Sequence, residues 1–61
     1  MDDWEVISAA PYGVPLALAV IEKGEIYALV FPCLRTKYGW VRADTQASVE
    51  VHPTHWREWS S

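Results

Sequence analysis

Residues 14–34 constrain this chain more than any other feature. Val14 to Glu22 is an apolar run of strand length, and Pro15 suits a strand's first residues while barring a helix interior. Glu22-Lys23-Gly24-Glu25 reads as a hairpin turn in which Gly24 supplies a positive φ. Glu25 to Leu34 then gives a partner strand rich in β-branched and aromatic residues. Alternation sends Leu16, Leu18 and Val20 to one face and Ala17, Ala19 and Ile21 to the other. It divides Tyr27, Leu29 and Phe31 from Ile26, Ala28 and Val30 in the same way. Both faces of the hairpin are therefore apolar. A chain of 61 residues can cover two faces only with its own ends or with a second copy of itself. The small residues at 17, 19 and 28 suit close approach by another backbone or an aromatic ring.

The remaining segments are short. Pro32 cannot donate to a ladder, so the second strand should reach an edge or a bulge there. Arg35 to Gly39 reads as a polar turn. Trp40–Ala43 and Ser48–His52 read as two short strands joined through Asp44 to Ala47, and a helix over 43–50 would be short and weakly amphipathic. Val6-Ile7 can add a short strand, with a turn at Ala10 to Gly13. Pro53 to Trp59 reads as a turn followed by an extended aromatic tail. The expected fold is all-β: one domain over residues 1–61 with its core at about 4–59, built as a small antiparallel meander of three to four strands. The Trp4 and Trp56/Trp59 ends would pack across the sheet, or two copies would stack sheet on sheet.

Charge and cysteine content narrow the classes. Five Lys and Arg against eight Asp and Glu leave a net charge of −3, whereas proteins that bind nucleic acid through its phosphates carry a basic surplus. The single cysteine, Cys33, cannot form an intramolecular disulfide, and a small unstapled domain fits a reducing compartment. The Met1 to Glu5 start is acidic where a signal peptide is basic. The longest uninterrupted apolar run, Leu16 to Ile21, is far below the ~20 residues that span a bilayer. The expectation is a cytoplasmic protein with no membrane partner.

Several separated motifs resemble one family. Trp4-Glu5-Val6-Ile7, then Ala10-Pro11, then Gly13 to Leu18, a central Gly39-Trp40 and a closing Pro53-Thr54-His55-Trp56 are similar to a small domain family of unknown function found largely in bacteriophages, prophages and their bacterial hosts. The resemblance spans about residues 4–59. It departs in the turn after Ala-Pro, reduced to Tyr12-Gly13, and at the end, where Arg57-Glu58-Trp59 replaces a Leu-Pro close. It implies a small β-rich accessory protein of phage ancestry, and no activity. Trp4, Thr54, His55 and Trp56 read as a structural box on a separate ground, because so small a core cannot spare a Trp.

The chemistry available is thin. His52 and His55 with Cys33, Glu50 and Glu58 lack the paired spacing of a zinc site, so no metal and no other cofactor is expected. Cys33, Ser8, Ser48 and Thr54 have no local signature joining them to a base, and no Gly-rich phosphate loop is present, so the chain reads as non-catalytic. The most distinctive cluster is Arg35, Lys37, Tyr38, Trp40 and Arg42, with no acid between Glu25 and Asp44. Extended, it would align Tyr38, Trp40 and Arg42 on one face. Those residue types anchor protein interfaces, and they also stack on single-stranded bases. Alternatively, Trp40 fills the core and the basic residues only keep a turn soluble. The reading is a small binding or assembly domain whose partner is a protein or a second copy; the alternative is a single-stranded nucleic-acid binder, which the net charge opposes.

Overall fold

The structure is a computed structural model that describes residues 4–60. It is all-β: seven strands, β1 (Glu5–Val6), β2 (Leu16–Glu22), β3 (Glu25–Ala28), β4 (Cys33–Thr36), β5 (Gly39–Arg42), β6 (Ser48–Val49) and β7 (His55–Glu58), with a 3₁₀ turn over Ile7–Ala9. The sheet order is β1-β7-β2-β4-β5-β6, with β3 also paired to β2. Every pairing is antiparallel. Among the described residues, no helix is long and apolar enough to cross a membrane.

The first half of β2 lies at the centre. On one edge it pairs with β7, from Leu16 opposite Glu58 to Ala19 opposite His55. On the other, Leu16 faces Cys33 of β4, and Ala19 to Glu22 face Ala28 to Glu25 of β3. A strand paired on both edges and covered on both faces must be apolar throughout, and Leu16, Ala17, Leu18 and Ala19 are all buried. Leu16 and Leu18 share their face with Cys33 and Trp56, and onto this core pack Ala10, Ile7, Leu29, Phe31, Trp40, Val49 and Val51.

The hairpin between β2 and β3 forms as its sequence requires. Lys23 (φ 53) and Gly24 (φ 78) are both left-handed, the combination that matches the twist of two flanking strands. The expected single strand over 25–34 is instead broken. Continuing the β2–β3 register would place Phe31 opposite Leu16, but Cys33 stands there, two residues further on. The bulge turns Phe31 toward the core and leaves Val30 88% exposed. Pro32, which has no N–H to lose, sits in it and takes the Ala43 N–H on its carbonyl at 2.9 Å.

The strand count and the ends differ from the sequence expectation of a three- to four-strand meander with ends packed across it. The C-terminal segment is β7, inserted in the sheet between β1 and β2. The cause is the open edge of β2, whose buried backbone groups need partners that a segment crossing the face would not supply. Arg35 and Thr36 belong to β4, which confines the turn to Lys37-Tyr38, and the strand expected over 48–52 pairs only at Ser48–Val49.

Thr54 marks where β7 departs from β2. Its N–H donates to the Ala19 carbonyl at 2.9 Å, its hydroxyl accepts the Ile21 N–H at 2.8 Å, and its carbonyl accepts the Ile7 N–H at 3.0 Å. Thr54→Val keeps the shape but strands the Ile21 N–H, so it should destabilise the fold by about 1–3 kcal/mol. Urea unfolding followed by Trp fluorescence measures this; a change below about 0.5 kcal/mol, the range of a neutral surface substitution, would show that the hydroxyl is dispensable.

Candidate functional site

An open groove of about 760 Å³ lies between the β4–β5 hairpin and the chain running from β6 toward β7. Arg35, Tyr38, Gly39 and Trp40 line one side, Ser48 to Pro53 the other, and Ile7 and Ser8 close it. The register explains the assembly. Trp40 stands opposite Arg35 in β4 and opposite Val49 in β6, which places all three on one face of the sheet. Trp40 is half-buried and packs against the core, and among the described residues its indole N–H makes no hydrogen bond. Tyr38 is 88% exposed. It lies in the turn ahead of β5, where its N–H donates to the Thr36 hydroxyl at 3.1 Å and the hydroxyl donates to the Gly39 carbonyl at 2.8 Å. Gly39, at φ 127, closes this turn in a conformation that side chains disfavour.

The five basic and aromatic residues singled out by the sequence do not act as one surface. Arg35, Tyr38 and Trp40 meet at the groove, while Lys37 and Arg42 do not line it. Arg35 is held in place: one guanidinium nitrogen donates to the Ala10 carbonyl at 2.6 Å, and the group lies over the Tyr12 ring at 4.5 Å. Lys37 sits over the Tyr38 ring at 5.2 Å. Arg42 is tied up elsewhere, donating twice to the Asp44 carboxylate at 2.9 Å and covering the Phe31 ring at 4.0 Å. The stretch that is basic in sequence is therefore partly neutralised, and Glu50 adds an acid to the groove wall. Glu50 and His52 stood out in the sequence only as possible metal ligands. Their alternation with Ser48 and the place of their strand beside Trp40–Ala43 were legible, but nothing local marked a groove between that segment and Arg35.

The Thr-His-Trp segment is built into the sheet. The Thr54 hydroxyl lies 2.8 Å from His55 Nδ1, a juxtaposition that elsewhere begins a nucleophile–base pair. In this chain the hydroxyl already accepts the Ile21 N–H and lies 3.4 Å from the Ala19 carbonyl, so its geometry serves the β2–β7 junction. Trp56 lies opposite Leu18, and its indole N–H donates to the Val6 carbonyl at 3.1 Å, fastening β1 to β7. Trp4 is half-buried, with the Arg57 guanidinium 4.4 Å over its ring.

Cys33 is fully buried. Burial pushes its thiol pKa up, Arg42 opposes that shift and Asp44 adds to it; a thiol so placed is a poor nucleophile and behaves as a small hydrophobe. Among the described residues no three His, Cys, Asp or Glu side chains gather as a metal site would require.

No family model, no curated protein and no solved structure matches the chain.

The Arg42–Asp44 pair, outside the groove, has a defined pH response. Hydrogen bonding from Arg42 lowers the Asp44 carboxyl from its ordinary 3.8 to about 2. A carboxylate depressed by folding stabilises the fold above its unfolded pKa, and that contribution fades as pH falls from about 4 through about 2. Carboxyl carbon chemical shifts should titrate Asp44 near 2, and Arg42→Gln should return the midpoint to the ordinary carboxylate range. An unchanged midpoint in that variant would assign the shift to another cause.

Proposed function

We propose that this chain is a small, non-catalytic, cytoplasmic binding domain of phage or prophage ancestry whose groove takes an extended segment of a protein partner. The observation that carries this reading is the pairing of a half-buried Trp40 with the exposed Tyr38 ring on the same wall. Aromatic and Arg side chains are the usual interface anchors because they bury much area at little entropic cost. Arg35 is already immobilised on Ala10 and Tyr12, so little ordering is left to oppose binding. The opposite wall, with Ser48, Glu50 and His52 among Val49 and Val51, mixes polar and apolar contacts as an extended peptide does. The ancestry rests on the family resemblance. The non-catalytic reading is supported by the buried Cys33 and the structural commitment of Thr54.

The same aromatic wall supports the second reading, stacking of single-stranded bases. Charge favours protein: Arg35 is the one Lys or Arg on the groove wall, Glu50 stands across from it, and the chain carries −3.

Peptides selected from a random display library should bind the wild type, and Tyr38→Ala should weaken them at least about tenfold, while a substitution so exposed leaves stability within about 0.5 kcal/mol. Equal binding by Tyr38→Ala would remove the groove from the function. A single-stranded oligothymidine should bind no tighter than roughly 10 μM at physiological salt, given so few phosphate contacts. Sub-micromolar, salt-sensitive binding lost in Tyr38→Ala would transfer the function to the second reading.

A further inference from the structure

The β2–β3 hairpin carries a second surface, separate from the groove. Among the described residues β3 pairs with β2 alone, so its other edge is open. The two-residue Lys23-Gly24 turn makes Glu22 and Glu25 a hydrogen-bonded pair, and alternation makes Val20 and Tyr27 another. The Leu29 N–H donating to the Leu18 carbonyl at 3.0 Å continues the same series. The N–H and C=O groups of Ile26 and Ala28 therefore point outward, away from β2. Folded proteins blunt such edges with short strands, charge, proline or a bulge; β3 is short and carries one charge, Glu25, at its start, but Ile26 to Ala28 hold no charge, proline or bulge. Instead the edge is flanked by apolar surface, with Ile26 51%, Tyr27 56% and Val30 88% exposed.

We infer that two copies of this chain associate through antiparallel β3–β3 pairing about a two-fold axis at Tyr27. In that register Ile26 of each copy exchanges both hydrogen bonds with Ala28 of the other, so four outward-pointing N–H groups and four carbonyls are satisfied reciprocally. A large side chain stands beside a small one on one face, and the two Tyr27 rings meet on the other. Glu25, which accepts the Tyr27 hydroxyl within its own chain, comes opposite Leu29 of the second copy, so the two Glu25 carboxylates do not face each other. This match of hydrogen bonds and side-chain size, with no like charges opposed, is what selects a second copy over an unrelated strand. Only the edges and flanks of two four-residue strands meet, a contact smaller than a standard specific interface, so the dimer is weak and concentration-dependent. It joins the two sheets edge to edge and leaves both grooves open.

Sedimentation equilibrium and disulfide trapping test this. From about 10 to about 500 μM, a range chosen for a weak interface, the average mass should rise from monomer toward twice that value. Ile26→Lys, which puts a charge on an exposed edge, should remain monomeric. Tyr27→Cys should trap a covalent dimer, because residues in a non-hydrogen-bonded antiparallel pair lie about 4.5 Å apart at Cα, within disulfide range. Lys23→Cys, at the turn, should cross-link at least about tenfold more slowly, because the two-fold axis holds the two turns apart, and the buried Cys33 stays out of the reaction. A monomer at every concentration, an Ile26→Lys protein that dimerises like the wild type, or cysteines at 27 and 23 that cross-link equally would each overturn the inference. Should Ile26→Lys fail to fold, the comparison of cysteines at 27 and 23 decides. Peptide binding at the groove is read separately, through Tyr38→Ala, so either reading can fail alone.

Discussion

Four residues of β2, Leu16 to Ala19, are hydrogen-bonded into neighbouring strands along both edges and buried on both faces. The rest of the structure depends on that double commitment. A chain of this size buries a smaller fraction of its surface than a large domain does, so the few fully covered side chains matter disproportionately. Leu16 and Leu18 contribute roughly 1.5–3 kcal/mol each by burial. Cys33, opposite Leu16, packs into the same core with its side chain fully buried.

One edge of β2 is completed from a distant part of the chain and the other from the run that follows it. β7 lies some forty residues downstream, and Thr54 joins it to β2 by substituting a side-chain oxygen for the next backbone acceptor. The bulge at Val30–Pro32 shifts the register by two, so one apolar run serves β2 twice, first as β3 and then through β4. β4 in turn carries β5, and β5 carries β6, which is how Arg35, Trp40 and Val49 come to share a face above the core. The groove is thus a consequence of where Cys33 is pinned.

Much of this was legible in the sequence. The hairpin at Lys23-Gly24, the apolar faces of β2, the bulge near Pro32 and the burial of Cys33 follow from period-two patterning and from what Gly and Pro can and cannot do. The place of the C-terminal segment was not legible. His55 to Glu58 is short, mixed in polarity and without a clean period, and it becomes a strand only because β2 offers an unsatisfied edge. The candidate site was half visible for a related reason. Tyr38 and Trp40 share a strand neighbourhood and could be grouped, but Arg42 left the group by pairing with Asp44, two residues away. Glu50 and His52 joined it because β6 pairs with β5 and the chain beyond Val49 runs on along the groove, whereas the sequence marked them only as possible metal ligands.

Native-state hydrogen exchange tests the central role of β2 most directly. Backbone amides that are hydrogen-bonded within Leu16–Ala19 and His55–Glu58 should exchange only through global unfolding, with free energies equal to that from denaturant. The amides of Ile26 and Ala28, at dilutions where the chain is monomeric, should exchange almost freely, and the remaining hairpin should open at much lower cost. If Leu16–Ala19 exchanges as readily as Glu25–Ala28, or if β7 opens while β2 stays protected, then β2 is not the element on which the fold depends.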